Sequence, residues 1–233
     1  MNAVEARGLT RFFGVYAALR RVSFAVPPGQ CVALLGRNGA GKTTLLRLLA
    51  GINSPSEGSL EVFGGAPEKP ATRKAIGFLG HGSGLYDELN AEENLMLAAR
   101  VHGLAEPAAI AKQWLERVDL QRLARSRPSE FSRGMRQRLA LARVLLAQPR
   151  LLLLDEPLTA LDDRATRMVR ELLEHAWRGG TTLFMSTHHL SEGMQIASHI
   201  LLLDRGRVAY SGERTPEMLA NPAAVYELCG ESA

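Results

Sequence analysis

The chain reads as an α/β protein: a mostly parallel sheet wrapped by helices, with an antiparallel N-terminal β flank and an inserted helical subdomain. Three observations carry that reading. Strand patterns alternate with helix patterns on both sides of a glycine-rich loop at 36–44, as a parallel sheet with helical crossovers requires. The first thirty residues hold two short strand patterns closed by the turn PPGQ. From about Asn90 to Ala147 the apolar periodicity is helical.

The elements follow in order. VEARGLTRF and RRVSFAV read as the flank strands, rich in β-branched and aromatic residues. CVALLG is a continuous apolar run of the buried type and leads into the glycine loop, after which TTLLRLLAG forms a helix stopped by Gly51. Two further strands, GSLEVFG and AIGFLG, precede the helical subdomain with its segments AEENLMLAARVHG, PAAIAKQWLERVDL and GMRQRLALARVLLA. The strand LLLLD, a helix around Asp163–Trp177, the strand TTLFMS, a short helix after Ser191 and the hairpin HILLLDRGRVAYSG come next. A terminal helical piece ends near Cys229. With no internal repeat and no low-complexity linker, the 233 residues read as a single domain, with the helical subdomain at about 90–147 inserted in it.

Bulk properties narrow the class. With 46% hydrophobic and 22% charged residues the chain has an ordinary globular composition, which excludes wholesale disorder. No apolar run approaches the roughly 18–20 residues that cross a bilayer. MNAVEARGLT lacks an apolar core, so no signal peptide is expected. Cys31 and Cys229 make neither a disulfide framework nor a metal spacing and fit a reducing cytoplasm. The net charge of +4 and pI near 9.4 come mostly from arginine, with seven arginines between Arg122 and Arg143. They read as a solvated helical face. No aromatic interleaving or nucleic-acid module accompanies them, so no nucleic-acid partner is expected.

The chemistry lies in two places. Gly36-Arg37-Asn38-Gly39-Ala40-Gly41-Lys42-Thr43-Thr44 matches G-x-x-x-x-G-K-[ST] between a strand and a helix. Such glycines let backbone N–H groups turn inward around phosphates at a helix N-terminus. Lys42 would bridge the β- and γ-phosphates, and the Thr43 hydroxyl would hold Mg2+. Asp155 and Glu156 end the apolar run Leu151–Leu154. Buried carboxylates are costly unless they hold a cation or a proton in play. Asp155 is suited to reach Mg2+ through water, and Glu156 to polarise the attacking water.

Together with Phe131-Ser132-Arg133-Gly134-Met135, followed by RQR, these motifs resemble the ATP-binding cassette (ABC) ATPases, a branch of the P-loop NTPase fold, over nearly the whole chain. The resemblance implies ATP and Mg2+ as cofactors and a dimer of ATP-binding subunits, like or unlike, in which Ser132 and Gly134 meet the γ-phosphate held by the other subunit. It further implies that Thr159-Ala-Leu-Asp162 is the D-loop at the dimer seam and that His188, with a bystander His189, is the switch histidine. Phe13 takes the adenine-stacking position, with Phe12 or Tyr16 as alternatives. Arg133 and Met135 stand where the family usually has Gly and Gln, so an altered but working signature is expected. His81 stands at the Q-loop, in place of glutamine, as a candidate ligand to water or the ion.

An integral membrane transport subunit is the implied partner, docked near Leu85 and Tyr86, with the cassette peripheral on the cytoplasmic face of the membrane. The stretch GFLGHGSGLYDELNAEENL is similar to the ATPase subunits of cytochrome c maturation (heme) exporters. Drug, polysaccharide and lipid exporters share much of the remainder. A soluble ABC ATPase acting on DNA or ribosomes would ordinarily carry a coiled-coil insert or a second cassette. A P-loop kinase or GTPase would leave Ser132, Gly134, Asp162 and His188 without a role.

Overall fold

The computed structural model describes residues 1–159, 161–187 and 190–229. Strands β1 (Val4–Phe13), β2 (Tyr16–Val26) and β4 (Glu57–Val62) form an antiparallel sheet in the order β2-β1-β4. The main sheet takes the order β5-β6-β7-β3-β8-β9 from β3 (Cys31–Leu35), β5 (Ile76–Leu79), β6 (Leu151–Asp155), β7 (Thr182–Ser186), β8 (His199–Asp204) and β9 (Arg207–Glu213). All its pairings are parallel except β8 with β9, the expected hairpin. The flank is larger than the sequence pattern implied. GSLEVF joins it through Val4↔Val62 and Ala6↔Leu60, and a four-residue helix α2 (Pro70–Arg73) separates it from β5. Local alternation cannot say which sheet a strand joins; here the partner is β1, about fifty residues upstream.

The leucines of β6 show why its pattern is continuous rather than alternating. Leu151 and Leu153 face one core with β1, β2, Phe184 and helix α1 (Lys42–Leu49). Leu152 and Leu154 face the other, with α5 (Arg133–Leu145) and α6 (Asp163–Arg178). Both faces of a central parallel strand are covered, so every position must be apolar until the strand ends. A third, smaller core lies under α7 (Leu190–Ile196) and includes Leu35 and Leu202. The chain ends in α8 (Pro216–Ala220) and a tight 3-10 stretch, Pro222–Cys229.

The helical subdomain comprises α3 (Ala91–Val101), α4 (Pro107–Arg117) and α5. Helix α3 starts in a capping box: Asn90 accepts from the Glu93 N–H, and Glu93 returns a bond to the Asn90 N–H. The arginines of this region do not form the simple solvated face that their number implied. Arg138 donates to the Val118 carbonyl at 2.6 Å, stapling the end of α4. Arg136 joins Asp87 at 2.7 Å to the Pro128 carbonyl at 2.8 Å. Arg143 runs beneath the 82–86 loop towards the Ser83 carbonyl, and burial pulls its guanidinium below the usual range.

Asn94, 1% exposed, organises the same loop from the other side. Its amide oxygen accepts from the Tyr86 N–H at 2.8 Å, and its nitrogen donates towards the carbonyls of Tyr86, Leu89 and Asn90. Asn94→Ala therefore leaves a cluster of backbone groups without partners. A loss of about 2 kcal/mol is expected in urea unfolding, with faster amide exchange at Tyr86.

Candidate active site

Parallel pairing brings the C-terminal ends of β3, β6 and β7 to one edge of the sheet, where open α/β sheets place their ligands. The glycine loop leaves β3 there, and Gly41, at φ 106°, caps α1. Its conformation favours glycine, and an added Cβ would lie 2.8 Å from the Ala18 carbonyl oxygen and 2.6 Å from Leu19. A Cβ on Gly36 would collide with the Leu203 carbonyl. The loop is thus held tight between the flank and β8, with its amides at the head of the helix. Arg37, Asn38 and Gly39 are exposed, Ala40 is buried beneath them, and Thr43 and Thr44 are half-buried.

Lys42 is 8% exposed, and its ammonium donates to the carbonyls of Gly36 at 2.7 Å and Arg37 at 3.3 Å. Burial holds its pKa below the usual lysine value; the charges of Glu156 and Asp155 oppose that shift without cancelling it. Asp155 is 4% exposed and fully engaged. Ser186 Oγ donates to Oδ1 at 2.6 Å, Thr43 Oγ1 donates to Oδ2 at 2.9 Å, and His81 Nδ1 lies 3.3 Å from the same Oδ2.

Glu156 follows in a left-handed conformation, φ 54°, uncommon for a residue with a Cβ. Its N–H is held by the carbonyl and Oγ of Ser186 at 3.2 and 3.0 Å, and Thr159 Oγ1 donates to its carboxylate at 3.3 Å. This local strain turns Glu156 away from the buried path of Asp155, so two adjacent carboxylates face different surroundings.

The site opens into two cavities that share His81 and Glu156. The larger, about 670 Å3, is lined by Asn38, Gly39, Gly41, Lys42, Thr43 and Thr44, with Phe13 and Tyr16 at its flank end. Phe13 and Tyr16 are paired across the β1–β2 hairpin, and the Arg11 guanidinium sits 4.9 Å over the Phe13 ring. Of the three candidate aromatics, Phe12 turns into a separate hollow with Arg20 and Arg207. The second cavity, about 460 Å3, is bounded by the 80–84 loop, Arg133, Gln137, Asp155 and Thr159.

Ser132, Gly134 and Asp162 line neither cavity. Ser132 caps α5, accepting from the Met135 N–H, and Asp162 caps α6, accepting from the Ala165 N–H at 2.7 Å. Met135 packs against the subdomain core, a local reason for an apolar residue in the altered signature. Ala160, His188 and His189 lie outside the described residues.

Two contributors are silent in the sequence. Ser186 serves Asp155 and Glu156 together; the only hint is a lone polar residue closing an apolar strand. Gln137 donates to the Pro157 carbonyl at 3.1 Å, tying α5 to the acidic turn.

The donor set suits Mg2+ and a nucleoside triphosphate: hard hydroxyl and carboxylate oxygens beside an ammonium, at a helix N-terminus. Residues 19–159, more than half of the chain, match the family described as ABC transporter. The chain belongs to the ABC transporter family, as an ATP-binding cassette. It is 38% identical over 219 residues to the uncharacterized ABC transporter ATP-binding protein YxlF of Bacillus subtilis, covering 91% of this chain and 71% of that protein. It is 37% identical over 233 residues to the sulfate/thiosulfate import ATP-binding protein CysA of Bradyrhizobium diazoefficiens, covering 96% and 65%. It is 34% identical over 216 residues to the Nod factor export ATP-binding protein I of Rhizobium etli, covering 91% and 68%. The chain thus spans about two thirds of these relatives' own length.

Among solved structures, an ATP-binding subunit of an ABC transporter superposes with a TM-score of 0.85 at 30% identity, covering 99% of this chain and 95% of that one. The dimeric cassette MJ0796 in a post-hydrolysis state with ADP and Pi gives 0.83 at 26%, covering 91% and 99%. ATP with Mg2+ is the cofactor pair of such cassettes, and they are ATPases.

Lys42 yields a pH test on the nucleotide-free protein. Its folded pKa is depressed, so the buried ammonium weakens the fold fully below that value. The penalty is relieved as pH rises towards the ordinary lysine value of about 10.4. Wild type should therefore gain stability relative to Lys42→Met as pH rises through that window, read as a shift in the difference between their urea midpoints. At neutral pH, the same variant should lose ATP binding.

Proposed function

We propose that the chain is the ATP-hydrolysing subunit of an ABC transporter, working as a dimer and driving a separate integral membrane subunit. The observation that carries this reading is the convergence of Lys42, Thr43 and Glu156 on one cavity with Phe13 and Tyr16 at its far end, with Asp155 bonded to Thr43 beside it. Phe13 or Tyr16 would stack on the adenine, and the loop from Gly36 to Thr44 would hold the phosphates. Lys42 would hold charge at the β- and γ-phosphates, and Thr43 and Asp155 would hold Mg2+, which when bound neutralises phosphate charge. Glu156, turned into the shared opening of the two cavities and steadied by Thr159, would orient and polarise the attacking water. Ser132 and Gly134, at a helix start and outside the lining of both cavities, would complete the partner subunit's site. His188 would contact the γ-phosphate.

No helix among the described residues is long and apolar enough to cross a membrane. A peripheral cassette on the cytoplasmic face of a membrane, docked on a membrane subunit, accords with that. Tyr86, 56% exposed on the loop that Asn94 organises, is the proposed docking residue. Leu85, also named from the sequence, is half-buried against the subdomain core and contributes less surface. The inward use of Arg136, Arg138 and Arg143 favours this reading over a nucleic-acid partner.

Within the family, heme export for cytochrome c maturation rests on the Gly80-His81 pair and the 77–95 stretch alone. The Nod factor export relative and the Streptomyces coeruleorubidus daunorubicin resistance protein DrrA3, 39% identical over 215 residues, support the wider exporter reading. The CysA relative is an import protein. Cargo is decided by the membrane partner, and copurification of that partner identifies it.

Glu156→Gln should lower ATP hydrolysis by at least roughly a hundredfold and yield a dimer with ATP and Mg2+ on size-exclusion chromatography with light scattering. A variant that binds ATP yet stays monomeric would count against paired cassettes; undiminished phosphate release would remove Glu156 from its role.

A further inference from the structure

Beside the hydroxyls that hold Asp155 stands a ring nitrogen. His81 Nδ1 lies 3.3 Å from Asp155 Oδ2, the same oxygen to which Thr43 Oγ1 donates at 2.9 Å. No other described side chain within hydrogen-bonding reach of Asp155 offers a nitrogen; its second oxygen is held by Ser186. The imidazole borders both cavities and is not packed into either core. Its loop carries Gly80, Gly82 and Gly84; a Cβ at Gly82 would meet nothing within 4 Å, and Gly84 has φ 61°. The His81 side chain is 65% exposed, which leaves the ring room to turn from the Asp155 oxygen onto an ion beside it. The carboxylate and hydroxyl, by contrast, are held by the sheet register and the start of α1.

We propose that His81 supplies a nitrogen donor to the nucleotide-bound cation and shifts this site's preference from Mg2+ towards first-row transition cations. The inference rests on the ATPase reading above. A carboxylate, a hydroxyl, phosphate oxygens and water form a hard donor set on which Mg2+ competes well. An imidazole adds little for Mg2+. For divalent first-row ions it adds affinity that grows from Mn2+ towards Co2+ and Ni2+. An amide side chain in the same place would offer an oxygen and no such bias. His81 thereby becomes a specificity-determining residue for the cation rather than a merely tolerated substitution.

The test uses the whole chain with Mn2+ and the non-hydrolysable analogue AMP-PNP, produced with isotope-labelled histidine nitrogen. Pulsed electron paramagnetic resonance should detect directly bonded histidine nitrogen at the Mn2+, and His81→Gln should abolish that coupling while AMP-PNP still binds. In titrations of AMP-PNP binding, the preference for Co2+ over Mg2+ should fall roughly tenfold in His81→Gln. Wild-type Mn2+ and AMP-PNP bound together without histidine coupling would overturn this proposal and leave the ATPase reading intact. Failure of the wild type to bind AMP-PNP with any cation would overturn both. A wild-type spectrum without histidine coupling is decisive even if the variant fails to fold, and His81→Ala serves as a second variant to assign a coupling that is present.

Discussion

A carboxylate buried at the end of an all-leucine strand is the constraint on which the rest of the site depends. Asp155 has little water to solvate it, so each oxygen must be met by a protein donor. Ser186 meets one and Thr43 the other. Those two bonds tie together three segments far apart in sequence: the strand β6, the neighbouring strand β7 and the first turn of α1. The register Asp155↔Ser186 makes the meeting possible, because parallel pairing brings the two strand ends level.

The same serine sets the neighbouring carboxylate. By accepting from the Glu156 N–H it helps hold that residue in a left-handed backbone, which points Glu156 into the open cavity while Asp155 stays inside. Two consecutive acidic residues thus divide into a buried carboxylate and a cavity-facing one through backbone geometry. Lys42 completes the balance of charge. Its ammonium is partly desolvated and is steadied by loop carbonyls, so the loop is shaped around a cation before any phosphate arrives.

The helical subdomain is joined to this centre by polar bonds as well as by packing. Gln137 ties α5 to the turn after Asp155, Arg143 reaches under the 82–86 loop, and Asn94 holds that loop's backbone. A displacement at the acidic turn therefore has a route to the exposed surface around Tyr86. The arginines that looked like surface charge from composition alone partly serve as internal staples, because a long side chain ending in five donors can span gaps between helices.

Local sequence was enough for the alternation of strands and helices, the phosphate loop with its glycines, the acidic pair and the helical patterns at 134–147 and 163–177. These are short-range signals: periodicity and turns. Tertiary structure alone decided that Glu57–Val62 belongs to the flank, that Ser186 orients both carboxylates and that His81 leans on Asp155. It also decided which of Phe12, Phe13 and Tyr16 line the cavity. Each of these depends on pairing between segments many residues apart. Strand register and helix packing settle such pairing collectively, and no local pattern encodes it.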